Sequence, residues 1–229
     1  MVRRAHHKSR ETGELEFDRI LSNRALMIKA IIFDVDGVLL DSFEANLGFF
    51  QNLMEMAGYQ PPTKNEYVPL FHRTLHDVVQ ILTRIDDEKE TKRVCDLIDV
   101  VETPSSVITE GAPEVVEELS KKYFLGVATS RIRVRVYKPP LDSLESFFKA
   151  TVVYEDTENH KPHPDPLLLA ASQLGVRPEE CVYVGDGESD LIAARAAGMK
   201  FVLYAEEKIN GVDVNTSDFR EITELIETL

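Results

Sequence analysis

Asp34 and Asp36 stand two positions apart at the end of an apolar run, Ala30-Ile31-Ile32-Phe33, and Gly37 follows at once. In a strand, residues two apart share a face. The two carboxylates are therefore expected together at the strand's carboxyl end, where open α/β sheets bind their ligands. Carboxylates held that close repel each other unless one keeps a proton or a cation lies between them. Clustered oxygen ligands at a strand end suit Mg²⁺. The chemistry within reach is that of a metal-assisted acid pair, in which one aspartate attacks and the other moves a proton.

Other apolar runs end in polar groups of complementary kinds. Phe124 to Ala128 leads into Thr129-Ser130-Arg131, which offers hydroxyls and turn N–H groups. Lys161 stands in His160-Lys161-Pro162-His163-Pro164, where the prolines stiffen the loop that presents it. Cys181 to Val184 runs into Gly185-Asp186-Gly187-Glu188-Ser189-Asp190, so that Asp186 and Asp190 are both expected to point into the same crevice. Hydroxyl and N–H donors, one lysine and several carboxylates around a cation form a set that binds a phosphoryl group. The charge on a transferring phosphoryl group needs neutralising, which acids alone cannot do.

The elements that must position these groups follow from periodicity. Ala30–Phe33 is short and continuously apolar, as in a strand buried on both faces. From Phe43 to about Glu110 the pattern is mostly helical. Phe49, Leu53 and Met56 precede a capping Gly58; Leu75, Val78, Val79 and Leu82 give a second amphipathic stretch; Val94, Leu97, Ile98 and Val101 give a third, and no strand-like alternation interrupts them. From Gly111 onward helices alternate with strands. Helices are expected at 112–122, 166–174, 191–197 and 219–228, and strands at 124–128, 150–154, 181–184 and 201–204. That alternation implies a parallel sheet with right-handed crossovers. The expected fold is an α/β, Rossmann-like core, residues 27–42 and 111–229, with an α-helical cap inserted at 43–110.

The chain has 229 residues, of which 43% are apolar, enough for a packed core. A formal net charge of −14 argues against a nucleic-acid or anionic-membrane binder. It also means that an anionic substrate would need local positive charge or a metal. Cys95 and Cys181 lie far apart and match no metal spacing, and a reduced, cytoplasmic setting is expected. No apolar run approaches the roughly 20 residues of a membrane span. Residues 1–26 are basic and unlike the rest; they are expected to be a dispensable extension, with Met27 as the natural start.

Taken together, the motifs resemble those of the haloacid dehalogenase superfamily, and most closely the branch of phosphoglycolate phosphatases and β-phosphoglucomutase, which carries a helical cap. Asp34-Val35-Asp36-Gly37-Val38 is similar to the family's first motif, Thr129-Ser130 to the second, Lys161 with its Pro-rich loop to the third, and Gly185 to Asp190 to the fourth. The resemblance implies that Asp34 is the nucleophile forming an aspartyl-phosphate, and that Asp36 is first the general acid and then the base for water. It implies that Thr129 and the N–H of Ser130 bind phosphoryl oxygens while Lys161 neutralises charge. It implies Mg²⁺ held by Asp34, the Asp36 carbonyl and Asp186, with Asp190 supporting the metal or orienting Lys161. Many relatives have Ser after the fourth-motif Gly-Asp, where this chain has Gly187.

Further candidates lie beyond the motifs. His72, Arg73 and His76 cluster between two insert helices, and Arg73 and His76 are taken as substrate-binding alongside Thr129, Ser130 and Arg131. His163 is expected at the entrance, and Glu44 and Asn46 where the chain enters the cap. The expected function is Mg²⁺-dependent hydrolysis of a small phosphomonoester, a phosphorylated metabolite, by a monomer or homodimer. A sugar phosphomutase and a non-catalytic phosphate binder of the same fold are the alternatives. A dehalogenase would not need Asp36, and a phosphonate hydrolase would need a cap lysine, for which Lys64 is the nearest candidate.

Overall fold

The structure, a computed structural model, describes residues 27–229 except residue 213. The reading of residues 1–26 as a dispensable extension lies outside the described residues. β1 (Ala30–Phe33) is a central strand of a six-stranded sheet that also contains β4 (Phe124–Ala128), β5 (Phe148–Val152), β6 (Cys181–Gly185), β7 (Lys200–Tyr204) and β8 (Asn215–Thr216). The order is β5-β4-β1-β6-β7-β8, and all neighbours are parallel. Ala30 to Phe33 pair with Phe124 to Val127 on one side and Cys181 to Val184 on the other.

The continuous apolar run is explained by the two faces of the sheet. Ile31 and Phe33 pack into one cluster with Val127, Val182 and Val184, while Ala30 and Ile32 pack into the other with Ala128, Cys181 and Tyr183. α5 (Ala112–Ser120) and the C-terminal α9 (Ile222–Glu227) supply the first cluster, and α7 (Asp165–Leu174) and α8 (Glu188–Ala197) the second. The chain moves outward from β1 through β4 to β5 and then returns across β1 to β6. Asp34, Thr129 and Asp186 all leave the carboxyl edge at this change of direction.

Between β2 (Leu40–Asp41) and β3 (Val107–Ile108) lie α1 (Phe43–Ala57), α2 (Lys64–Tyr67), α3 (Leu75–Thr83) and α4 (Glu88–Cys95). They have their own core of Phe49, Phe50, Leu53, Met54, Tyr67, Val78, Val79, Val94 and Val101. α1 ends at Gly58 in the left-handed conformation, as expected.

Four expectations about elements are corrected. Met56 is 51% exposed, and Met54 takes its place in the core. α4 stops at Cys95, and the chain then turns so that Val94 and Val101 are buried without a continuous helix between them. β3 lies within the stretch read as mostly helical and free of strand-like alternation. Its two residues pair antiparallel with Leu40 and Asp41, too short a ladder to show alternation. β5 begins at Phe148, two residues before the expected start, because the turns of Leu141–Phe147 end there.

Among the described residues no helix is long and apolar enough to cross a membrane.

Candidate active site

Asp34 is the first residue beyond β1. Its N–H donates to the Val184 carbonyl at 2.9 Å, fixing the backbone to β6. Its Oδ1 accepts the Val35 N–H at 2.7 Å, and its Oδ2 accepts from Lys161 Nζ at 2.6 Å. The Lys161 ammonium, only 6% exposed, also donates to Asp190 Oδ1 at 2.8 Å and to the Tyr183 hydroxyl oxygen at 3.0 Å. The Tyr183 hydroxyl lies 3.1 Å from Asp190 Oδ1 and 3.2 Å from the Ala128 carbonyl and can donate to one of them at a time. A buried lysine needs such a set of acceptors to stay charged. Burial opposes its charge, but Asp190 and Asp34 more than offset this and hold the ammonium well above its ordinary pKa.

Asp190 opens α8 and uses its other oxygen on the backbone. Oδ2 accepts the N–H groups of Asp186 at 3.2 Å and Gly187 at 3.1 Å, satisfying the start of the helix. Both its oxygens are therefore engaged by protein donors. Asp186 differs. Its side chain is 9% exposed, and its Oδ1 is buried with no hydrogen-bond partner. Oxygens of Asp34, Asp186 and Asp190 all lie within 4.8 Å of one another.

Burial pushes the Asp34 carboxyl up to about 7, with Lys161 pulling it down and Asp190 and Asp186 pushing it further up. Burial likewise raises Asp186. Buried carboxylates that each bring an oxygen this close and raise one another's pKa form a set that a divalent cation fits. Asp34 and Asp186 have the free capacity, whereas Asp190 is taken up by Lys161 and the backbone. The Asp36 carboxylate stands outside this group.

Asp36 faces a cation of its own. Arg131 grips it with two bonds, Nε to Oδ2 at 2.8 Å and Nη2 to Oδ1 at 2.7 Å, and Asn46 donates to Oδ1 at 2.9 Å. Burial alone would raise this carboxyl, but the charge and hydrogen bonds of Arg131 outweigh it and hold Asp36 at about 2. Gly37 lets the two motif loops meet. Its φ is 75°, and a Cβ built on it would lie 1.7 Å from Asp186 Oδ2. Thr129 is buried, and its hydroxyl accepts the Arg131 N–H at 3.2 Å, which shapes the turn that presents Ser130.

A cavity of about 380 Å³ lies over these groups. Asp34, Asp36, Thr129, Ser130, Arg131 and Lys161 line it from the sheet side, and Asn46, Phe49, Phe50, Tyr67, Phe71 and Arg73 from the insert. The motif residues thus come together, and Arg73 and Asn46 reach the same cavity.

Three expected groups do not. His76 is absent from the wall: α3 begins at Leu75, which faces the cavity, and His76 is about 100° further round the helix. His163 is exposed in the turn its N–H closes with the His160 carbonyl. Glu44 pairs with Lys64 on an exposed face, and neither lines the cavity.

Sequence reasoning missed Tyr183, Arg135 and Lys138. A tyrosine inside a fully buried strand is a signal, because its hydroxyl needs a partner. Arg135 lies in α6 (Arg133–Val136). It donates to Thr103 Oγ1 at 2.8 Å and to the Ile98 carbonyl, and stacks over Phe49 at 4.7 Å, tying α6 to the insert.

Residues 31–204 match the sequence profile of haloacid dehalogenase-like hydrolases. The chain belongs to that family. This hydrolase is similar to a solved subfamily IA member from Geobacter sulfurreducens, with 32% identity, a TM-score of 0.66, and coverage of 87% of this chain and 96% of the other. It is 29% identical to the pyrophosphatase PpaX of Bacillus cereus, over 76% of this chain and 82% of that protein. It shares its fold with CbbY of Rhodobacter sphaeroides, solved with phosphate, at 23% identity and a TM-score of 0.70, covering 86% and 96% of the two chains.

Proposed function

We propose that this enzyme hydrolyses a small phosphomonoester through an aspartyl-phosphate on Asp34. The observation that carries this reading is the Lys161–Asp34 pair at 2.6 Å, beneath a cavity that Thr129, Ser130 and Arg131 share. A divalent cation, Mg²⁺ by its oxygen ligands, would be held by Asp34 and Asp186 and would neutralise phosphoryl charge.

The chain's own groups do the rest. An Asp34 oxygen attacks phosphorus as the ester P–O bond breaks. The Ser130 N–H and the Thr129 turn receive phosphoryl oxygens, and Lys161 stays protonated beside the nucleophile. Asp36 gives its proton to the leaving oxygen and then takes one from the water that attacks phosphorus and breaks its bond to Asp34, releasing inorganic phosphate and the free carboxylate. Held by Arg131, Asp36 carries no proton to give. The anionic substrate therefore has to draw Arg131 away, and that exchange frees Asp36 as the ester arrives.

The insert, read as a cap over residues 43–110 on a core of 27–42 and 111–229, closes the cavity against bulk water. Cys95 and Cys181 are free thiols, which suits a reduced, cytoplasmic setting. The names of the relatives, a pyrophosphatase and a phosphate-bound protein, support an anionic phosphorus substrate.

The test is Mg²⁺-dependent phosphate release from a panel of small phosphomonoesters and pyrophosphate, beside an Asp34→Asn variant. Release that disappears in the variant and in chelator is expected. Interconversion of a sugar monophosphate without release would move the assignment to a mutase, and binding of a phosphate analogue without turnover would make the protein a binder.

A further inference from the structure

His72 comes from the insert, yet it lies on the fourth-motif loop. Its Nδ1 is 3.3 Å from Asp186 Oδ1, close enough for an ion pair though not aligned as a hydrogen bond. The ring occupies space that Gly187 leaves open. A Cβ built at 187 would lie 3.0 Å from both Cγ and Nδ1 of His72. A serine there would press on the ring and force it to shift.

The two Asp186 oxygens thus meet different parts of the molecule. Oδ1 is shut in under His72, while Oδ2 lies against Gly37, on the loop that carries Asp34 and Asp36. We propose that His72 is a positioning residue for the divalent-cation site: seated on Gly187, it holds Asp186 by one oxygen and leaves the other for the cluster with Asp34. Because His72 sits on the insert's Phe71–Thr74 turn, cation binding and docking of that turn then favour each other. The inference rests on the reading that Asp34 and Asp186 hold a cation. Groups that brace a ligating carboxylate typically set metal affinity over 10- to 100-fold.

The experiment is calorimetric titration of Mg²⁺ into the full chain without substrate, for the wild type, His72→Ala, His72→Gln, Gly187→Ser and Asp186→Asn. His72→Ala is expected to bind about tenfold or more weakly. His72→Gln, which keeps an N–H donor, should recover most of that loss, and Gly187→Ser should weaken binding by displacing the ring. Thermal melts of the cation-free proteins should be alike. In hydrogen exchange, Mg²⁺ should slow the amides of residues 71–74 in the wild type but not in His72→Ala.

Wild-type affinity in His72→Ala, with Asp186→Asn still impaired, would overturn the inference alone and leave His72 as packing. Tighter binding in His72→Ala would overturn it in favour of a ring that competes with the cation. Wild-type affinity in Asp186→Asn would overturn both this inference and the cation reading beneath it.

Discussion

The two walls of the cavity are built on opposite principles. On the sheet side almost every polar atom already has a partner. Lys161 is shared by Asp34, Asp190 and Tyr183, Asp190 also fastens the loop of Asp186, and Arg131 grips Asp36 with two bonds. The insert side is built around an aromatic group, Phe49, Phe50, Tyr67 and Phe71, packed on one another. Its polar members, Asn46, His72, Arg73, Asp99, Thr103, Ser105 and Ser106, surround that group and share none of the buried ion pairs of the Lys161 and Arg131 clusters. The sheet wall is preorganised by charge, so losing its buried cation should leave the carboxylates paired to it exposed to their full desolvation cost. The insert wall is shaped by contact, so a loss there should redirect the site more than disable it.

The sharpest way to break this contrast is Asp34→Asn. Phosphate release is expected to fall by on the order of 10⁴-fold or more. The melting temperature at neutral pH should hold or rise, because one carboxylate leaves a crowded buried cluster. An active Asp34→Asn protein would remove Asp34 as nucleophile.

Lys161→Ala should hurt both activity and stability. It strands Asp34 and Asp190 without their cation, a loss typically near 3–5 kcal/mol, readable by urea unfolding at pH 7. If the loss were no larger than for a surface lysine, the sheet wall would not be the charge-paired structure described.

The Asp34 carboxyl predicts a pH dependence. Its folded pKa of about 7 lies above its ordinary value of 3.8. Raised this way, it favours the folded state at low pH, and that advantage is lost as pH climbs from about 4 towards 7. A cation that favours the ionised form should counter the loss. The thermal gain on adding Mg²⁺ is therefore expected to be larger at pH 8 than at pH 5.5, and equal gains would contradict it.

The smallest expected effect belongs to the other wall. Phe71→Ala should leave turnover of the smallest active ester nearly unchanged while altering relative kcat/KM among esters by about tenfold, the scale of one apolar pocket contact. A uniform collapse across all esters would show that the insert wall serves the chemistry itself, just like the sheet wall.

The same contrast decides what could be read in the sequence. Asp34, Thr129 and Asp186 each follow an apolar run, and a strand's end fixes where such a residue sits. Lys161 is legible from its place in a stiff, Pro-rich loop. The insert offers no such anchor. His76 misses the wall because it lies about 100° round α3 from Leu75, which faces the cavity, and Met56 yields to Met54 because the buried face of α1 runs through Phe50, Leu53 and Met54. Tyr183 is hidden inside a strand that reads as purely apolar. Arg135 and Lys138 escape notice because nothing local marks a basic residue that faces a cavity made by a distant segment. The partnership of His72 with Gly187 joins residues far apart in sequence, and only the departure at 187 hints at it.

The short ladder of β2 with β3 has a consequence for how such a protein can change. The chain leaves for the insert and returns from it on two strands that pair side by side, Leu40 with Ile108 and Asp41 with Val107. Departure and return are thus sealed at one seam outside the six-stranded sheet. Everything between the two strands can lengthen, shorten or be exchanged in descent without shifting the sheet's register. The seam makes the insert a unit that can vary while the strand ends carrying Asp34, Thr129 and Asp186 keep their places.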